Sequence, residues 1–192
     1  MSSLKPVARL FALSALLGLV VPGATVEAQQ PDFSGVWEFN QQRSHDLRSK
    51  IEEAVGPDAT TGDAKKDLVR VWIRRWLLGV IDDPDARFLT VEQSDRDFKT
   101  GLADEVSTYY FGREAASRGP LGGKLTVSIA WQGAQLRLEE KSGDGGHIAA
   151  LYTLLPPGDT LLVAYRLEHK TLIKPLEVSM FFERVPEEDL ED

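Results

Sequence analysis

The 192-residue chain contains no cysteine, which excludes disulfides, thiolate nucleophiles and cysteine-ligated metal centres. Histidine is nearly as scarce. His45, His147 and His169 are the only three, and none stands at a metal-ligand spacing from another histidine or a carboxylate. Basic charge is in deficit: 22 Lys and Arg against 30 Asp and Glu leave a formal net charge of −8, which argues against a nucleic-acid partner, because phosphates need a basic footprint. There is no G-x-S-x-G and no glycine-rich phosphate loop, so Ser34 and Ser128 lack the surroundings of a nucleophile. The carboxylate groups Asp82-Asp83-Pro84-Asp85 and Asp95-Arg96-Asp97 have turn chemistry and not the spacing of a metal loop. No catalytic constellation remains, and the expectation is a non-enzyme without metal or cofactor.

What is present begins with a leader. Lys5 and Arg9 precede the apolar run Leu10 to Val21, Pro22-Gly23 breaks it, and Val26-Glu27-Ala28 supplies a cleavage site. A run of twelve residues falls short of the about 20 that a membrane-crossing helix needs, so residues 1–28 read as a cleavable secretory signal peptide. A periplasmic or secreted location follows from that reading. Removing Lys5, Arg9 and Glu27 takes the net charge from −8 to −9.

Residues 29–186 have the size of one domain. After a first short strand, an insertion over about residues 44–81 has helical periodicity. Ser44 is placed to cap a helix carrying Leu47, Ile51 and Val55, which Gly56-Pro57 ends. A second helix runs from Asp63 to about Gly79, with Leu68, Val69, Trp72, Ile73, Trp76 and Val80 on one side and Lys66, Arg70 and Arg74 as a basic ridge opposite. From Arg87 the period changes to 2. The segments 88–93, 98–102, 105–112, 125–131, 135–141, 148–155, 161–168 and 176–184 read as antiparallel strands between turns, about nine with the first. Residues 187–192 (EEDLED) form an acidic tail expected to be disordered. Consecutive hairpins with one apolar face predict an up-and-down antiparallel β-barrel of about 8–10 strands, with a β-sandwich as the alternative. Charges on the outward faces (Arg137, Glu139, Glu177, Glu183) argue against a barrel surrounded by lipid.

The stretch Asp32 to Asn40, DFSGVWEFN, opens the first strand with a Gly-x-Trp triplet, and Arg184 shares the inward face of the last strand with Leu176, Val178, Met180 and Phe182. The motif resembles the N-terminal signature of the lipocalin and wider calycin families, and more closely the small secreted bacterial proteins that begin with a DFSGTW-like segment. That resemblance implies a barrel in which Gly35 permits close backbone approach, Trp37 plugs one end, and Arg184 lies over its ring. It also implies a small hydrophobic or amphipathic ligand in the interior. Residues of inward parity or on the helix facing the mouth are the candidates to meet it: Trp72, Trp76, Tyr109, Trp131, Tyr152, Tyr165 and Met180. The other reading is a filled barrel of the cell envelope, non-catalytic, whose insertion helix touches a partner or a membrane surface. The sequence does not fix an oligomeric state.

Overall fold

The structure, a computed structural model, describes residues 30–56, 62–102, 105–118 and 123–190. The leader and Gln29, residues 57–61 and 103–104, the Gly-Pro punctuation at 119–122 and the last two residues of the tail lie outside them.

Ten strands follow one another: β1 (Gly35–Phe39), β2 (Phe88–Gln93), β3 (Asp97–Leu102), β4 (Glu105–Tyr110), β5 (Ala115–Arg118), β6 (Lys124–Gln132), β7 (Gln135–Ser142), β8 (His147–Leu155), β9 (Thr160–Glu168) and β10 (Leu176–Arg184). Two helices, α1 (Leu47–Val55) and α2 (Ala64–Asp82), sit between β1 and β2, followed by a 3-10 turn at Asp85–Arg87. All strand pairs are antiparallel, in the spatial order β4-β3-β2-β1-β10-β9-β8-β7-β6-β5. The first strand pairs with both β2 and the last strand. The chain is therefore an up-and-down, lipocalin-like β-barrel with a helical insertion after its first strand. It is nearly closed: β4 and β5 are the two ends of the hydrogen-bonded order, and Cα atoms of β4 and β6 approach within 8 Å across the seam.

One end of the barrel is organised by the N-terminal motif. Trp37 and Arg184 are register partners, and the guanidinium carbon stands 4.1 Å from the ring centroid. The indole Nε1 donates to Phe33 O at 3.0 Å, and Arg184 Nη1 donates to Ser34 O at 2.6 Å. Gly35 adopts φ 136°, and a Cβ there would stand 2.7 Å from Arg184 Nη1. Glycine is thus required both by the backbone and by the arginine that crosses it. Phe33 and Trp37 are fully buried, and Phe33 extends the aromatic packing to Trp131 (centroids 5.8 Å) and Phe98 (6.4 Å).

The insertion packs at the other end. Asp46, not Ser44, caps α1 by accepting from Ser49 N at 3.3 Å. Ser44 is instead used to join the chain to β10, donating to Asn40 O and accepting from Phe181 N. Asp63 does cap α2, accepting from Lys66 N at 3.2 Å, and the helix continues three residues beyond Gly79, to Asp82. Its deeply buried stripe is Val69, Ile73, Leu77 and Val80; Leu68 is instead 60% exposed. The basic ridge is not wholly a solvated back, because half-buried Arg74 donates to Gly56 O at 2.6 Å and ties α2 to the end of α1.

Strand β5 is the tenth element beyond the nine that the pattern indicates; its sequence AASR has too little apolar alternation to register as a strand. The acidic tail, expected to lack order, winds into a 3-10 helix over Glu187–Leu190. Arg137, Glu139, Glu177 and Glu183 hold outward positions, and Glu183 accepts from Arg43 at 2.8 Å and Thr160 at 2.8 Å. Among the described residues no helix is long and apolar enough to cross a membrane.

Candidate functional site

Strand alternation stacks the inward side chains in rows across β6, β7, β8 and β9. Nearest the helices are Val127, Glu140, Ile148 and Leu167; then Ile129, Leu138, Ala150 and Tyr165; then Trp131, Leu136, Tyr152 and Val163. Small side chains interrupt these rows. Ala150 stands between Leu138 and Tyr165, and Ala115 faces Val127 from β5. Opposite, β3 and β4 present Thr100 and Ser107 where bulkier residues would close the space. The result is a cavity of about 720 Å³ between α2, the seam and β6–β9, within the size range of small-ligand sites.

Five of the seven residues singled out from the sequence meet here: Trp72, Trp76, Tyr109, Tyr152 and Tyr165 all line this cavity. On α2 the two tryptophans stack on each other (5.5 Å, 8°), and Trp76 stands edge-on to Tyr165 (5.2 Å, 89°). Trp131 and Met180 are elsewhere. Trp131 stacks on Phe33 and Phe111 (6.1 Å) and lines a separate pocket of about 580 Å³ near the N-terminal motif. Met180 is fully packed in the core. Both have inward parity, but period 2 gives the face of a strand and not the height along the barrel.

The interior also holds a carboxylate, Glu140, that is not among the residues expected from the sequence. Glu140 follows Leu136 and Leu138 at the same parity on β7, so its inward position was available from the alternation. Tyr109 OH donates to Glu140 Oε1 at 2.9 Å, from β4 to β7 and so across the open seam. Burial raises the Glu140 carboxyl above its ordinary range, and the Tyr109 hydrogen bond offsets this in part. Burial also drives the Tyr109 hydroxyl far up, with the Glu140 charge adding to it. Tyr152 is pushed up to about 12 by burial, with the Thr100 and Tyr165 hydroxyls pulling the other way, and burial raises Tyr165 as well. These phenols remain protonated donors at neutral pH. Among the described residues Thr100 Oγ1, buried in this wall, has no hydrogen-bond partner of ordinary geometry.

A further pocket of about 420 Å³ shares Trp72, Leu125, Glu140 and Ile148 with the 720 Å³ cavity and continues outward beneath Leu68 and Val69 of α2 to the turn 142–146. His147 and His169 line this outer chamber, each beside a carboxylate: Nε2 of His147 is 3.6 Å from Glu139, and Nε2 of His169 is 3.5 Å from Asp144. His45 is remote from both, accepting from Ser179 N at 3.1 Å. Among the described residues no three acidic or histidine side chains gather as metal ligands. The two aspartate groups serve turns: Asp83 accepts from Asp85 N at 3.0 Å, and Asp97 accepts from Ser94 Oγ at 2.8 Å.

No protein-family model and no curated protein matches the sequence. Among solved structures the chain is similar to one described as the REP1-NXSQ fatty acid transporter, with TM-score 0.50 and 11% identity over 81% of this chain and 97% of that one. It is also similar to apo lipid binding protein 8 (LBP-8) of Caenorhabditis elegans, with TM-score 0.52 and 10% identity over 82% of this chain and all of that one (100%). At these identities the likeness is one of fold, a ten-strand nearly closed barrel with helices after the first strand.

Proposed function

We propose that the protein binds a small apolar or amphipathic molecule inside the barrel, without catalysis, and that α2 controls access to it. The observation that carries this reading is the cavity of about 720 Å³ lined by Trp72, Trp76, Tyr109, Tyr152 and Tyr165. A barrel filled by its own side chains would have bulky residues in the rows where Ala115 and Ala150 stand. The described functions of the two similar structures, fatty acid transport and lipid binding, support the reading by analogy of fold. Export by a cleaved leader would place this binding in the periplasm or outside the cell. Leu68 and Val71, 60% and 61% exposed on α2, would let the same helix touch a membrane surface during loading.

Burying about 200 Å² of apolar ligand surface yields roughly 5 kcal/mol at 25 cal/mol per Å², before the cost of association. That burial alone corresponds to a Kd of about 0.2 mM at best, and polar anchors are needed for tighter binding. A neutral, polarity-sensitive dye such as Nile red is the test: it should saturate with a blue-shifted emission. Absence of dye binding at high micromolar protein would defeat the reading and favour a filled-barrel envelope protein that acts through the outer face of α2.

A further inference from the structure

Resting on that reading, we infer that the preferred ligand is an organic cation, a lipophilic ammonium whose charged end sits between Glu140 and the tryptophan pair of α2, and not a carboxylate lipid. The charge inventory of the cavity is the first ground. Among its described lining residues Glu140 alone is charged, and neither Lys, Arg nor His is present. A carboxylate brought into this space would meet a like charge and find no counter-ion, which is costly where water is excluded.

The groups around Glu140 are the second ground. One oxygen is held by Tyr109, and the other has no hydrogen-bond partner among the described residues. Facing it across the interior are the phenols of Tyr109 on β4, Tyr152 on β8 and Tyr165 on β9. Trp72 and Trp76, stacked on each other, bring two indole rings to the same cavity from α2. Aromatic faces beside a carboxylate form the environment that attracts an ammonium, through the ring quadrupole as well as the charge. The basic residues on this side do not compete for Glu140: Lys124, His147 and His169 line the outer chamber and not the inner cavity, and none of them contributes to the shift of the Glu140 carboxyl.

The third ground is the approach. Glu140 lines both chambers, so a headgroup that reaches the inner cavity through the outer one passes its carboxyl. A formal net charge of −8 enriches cations around the molecule and depletes anions.

The test uses the full-length protein loaded with Nile red and displaced by three ligands of one chain length, dodecylamine, dodecanol and dodecanoate, near neutral pH. Charge-assisted hydrogen bonds are about twice as strong as neutral ones. The amine should therefore displace the dye at a concentration at least about tenfold lower than the alcohol, a gap of about 1.4 kcal/mol, and the carboxylate should be the weakest of the three. In Glu140→Gln the amine-to-alcohol ratio, taken within that variant, should collapse toward one. Dodecanoate displacing as well as or better than dodecylamine from the wild-type protein overturns the proposal, and so does an amine preference that survives Glu140→Gln. The wild-type series decides the sign of the preference even if the variant does not fold. Failure of Nile red itself to bind is a different result, and defeats the binding reading on which the proposal rests.

Discussion

Replacing Trp37 and Arg184 singly and together tests whether the N-terminal motif and the last strand stabilise one end of the barrel as a unit. Trp37 is fully buried, with its indole nitrogen bonded to Phe33 O and its ring under the guanidinium at 4.1 Å. Trp37→Ala should cost about 3–5 kcal/mol, as truncation of a large core side chain does. Arg184→Ala loses a cation–π contact, worth about 0.5–1 kcal/mol when exposed and about 2 when desolvated. It also loses the 2.6 Å bond to Ser34 O, of the charged kind worth about 1.5–3 kcal/mol. Arg184 is only half-buried, so its total should lie near the lower ends, at about 2 kcal/mol. Because the ring contact is lost in either single variant, the double variant should be less destabilised than the sum by about 1 kcal/mol. Urea melts of the four proteins measure this. Additivity within experimental error would mean that the contact contributes nothing, and would refute the motif as a coupled device. Gly35→Ala is an internal control on the same crossing: a Cβ 2.7 Å from Arg184 Nη1, on a residue of positive φ, should destabilise through both the backbone and the displaced guanidinium.

Glu140→Gln keeps an acceptor for Tyr109 and removes a charge that burial disfavours. A carboxyl whose pKa is raised on folding stabilises below its unfolded pKa of about 4.3 and loses that contribution as pH rises through the higher folded value. The variant should therefore equal the wild type in stability in acid and exceed it at neutral pH; a deficit that grows with pH, seen in melts across that range, would reverse the assignment. Trp76→Ala removes one ring of the stacked pair and the edge contact to Tyr165, and should weaken Nile red by about 1 kcal/mol, roughly fivefold. An unchanged titration would remove α2 from the site. Export is checked by N-terminal sequencing of the mature protein, expected to begin after Ala28; an intact Met1 on secreted protein would contradict the leader.

Much of the fold was legible because alternation is strong where strands have one buried face. Leu176, Val178, Met180 and Phe182 are buried in turn along β10, and that parity brings Arg184 to Trp37. The edge strand β5 was hidden by small residues that carry no period, and the helix cap moved from Ser44 to Asp46 because Ser44 is recruited to β10. At the site, parity selected Tyr109, Tyr152 and Tyr165 correctly as inward groups. It could not set apart Trp131, which faces a separate pocket near the N-terminal motif, or Met180, which faces inward where the core is filled. Glu140 was overlooked for a chemical reason: a charged residue ending an alternating strand reads as surface, and only the crossing of β4 beside the seam shows that Tyr109 meets it.

The measurement closest to the central claim is a crystal structure of the protein with a bromine-tagged alkyl ligand, located by anomalous scattering. Bromine should lie inside the barrel, between the Trp72–Trp76 pair and the rows containing Ala150 and Tyr165. Bromine only on the outer face of α2 at Leu68 and Val71, with the interior closed by its own side chains, would contradict it.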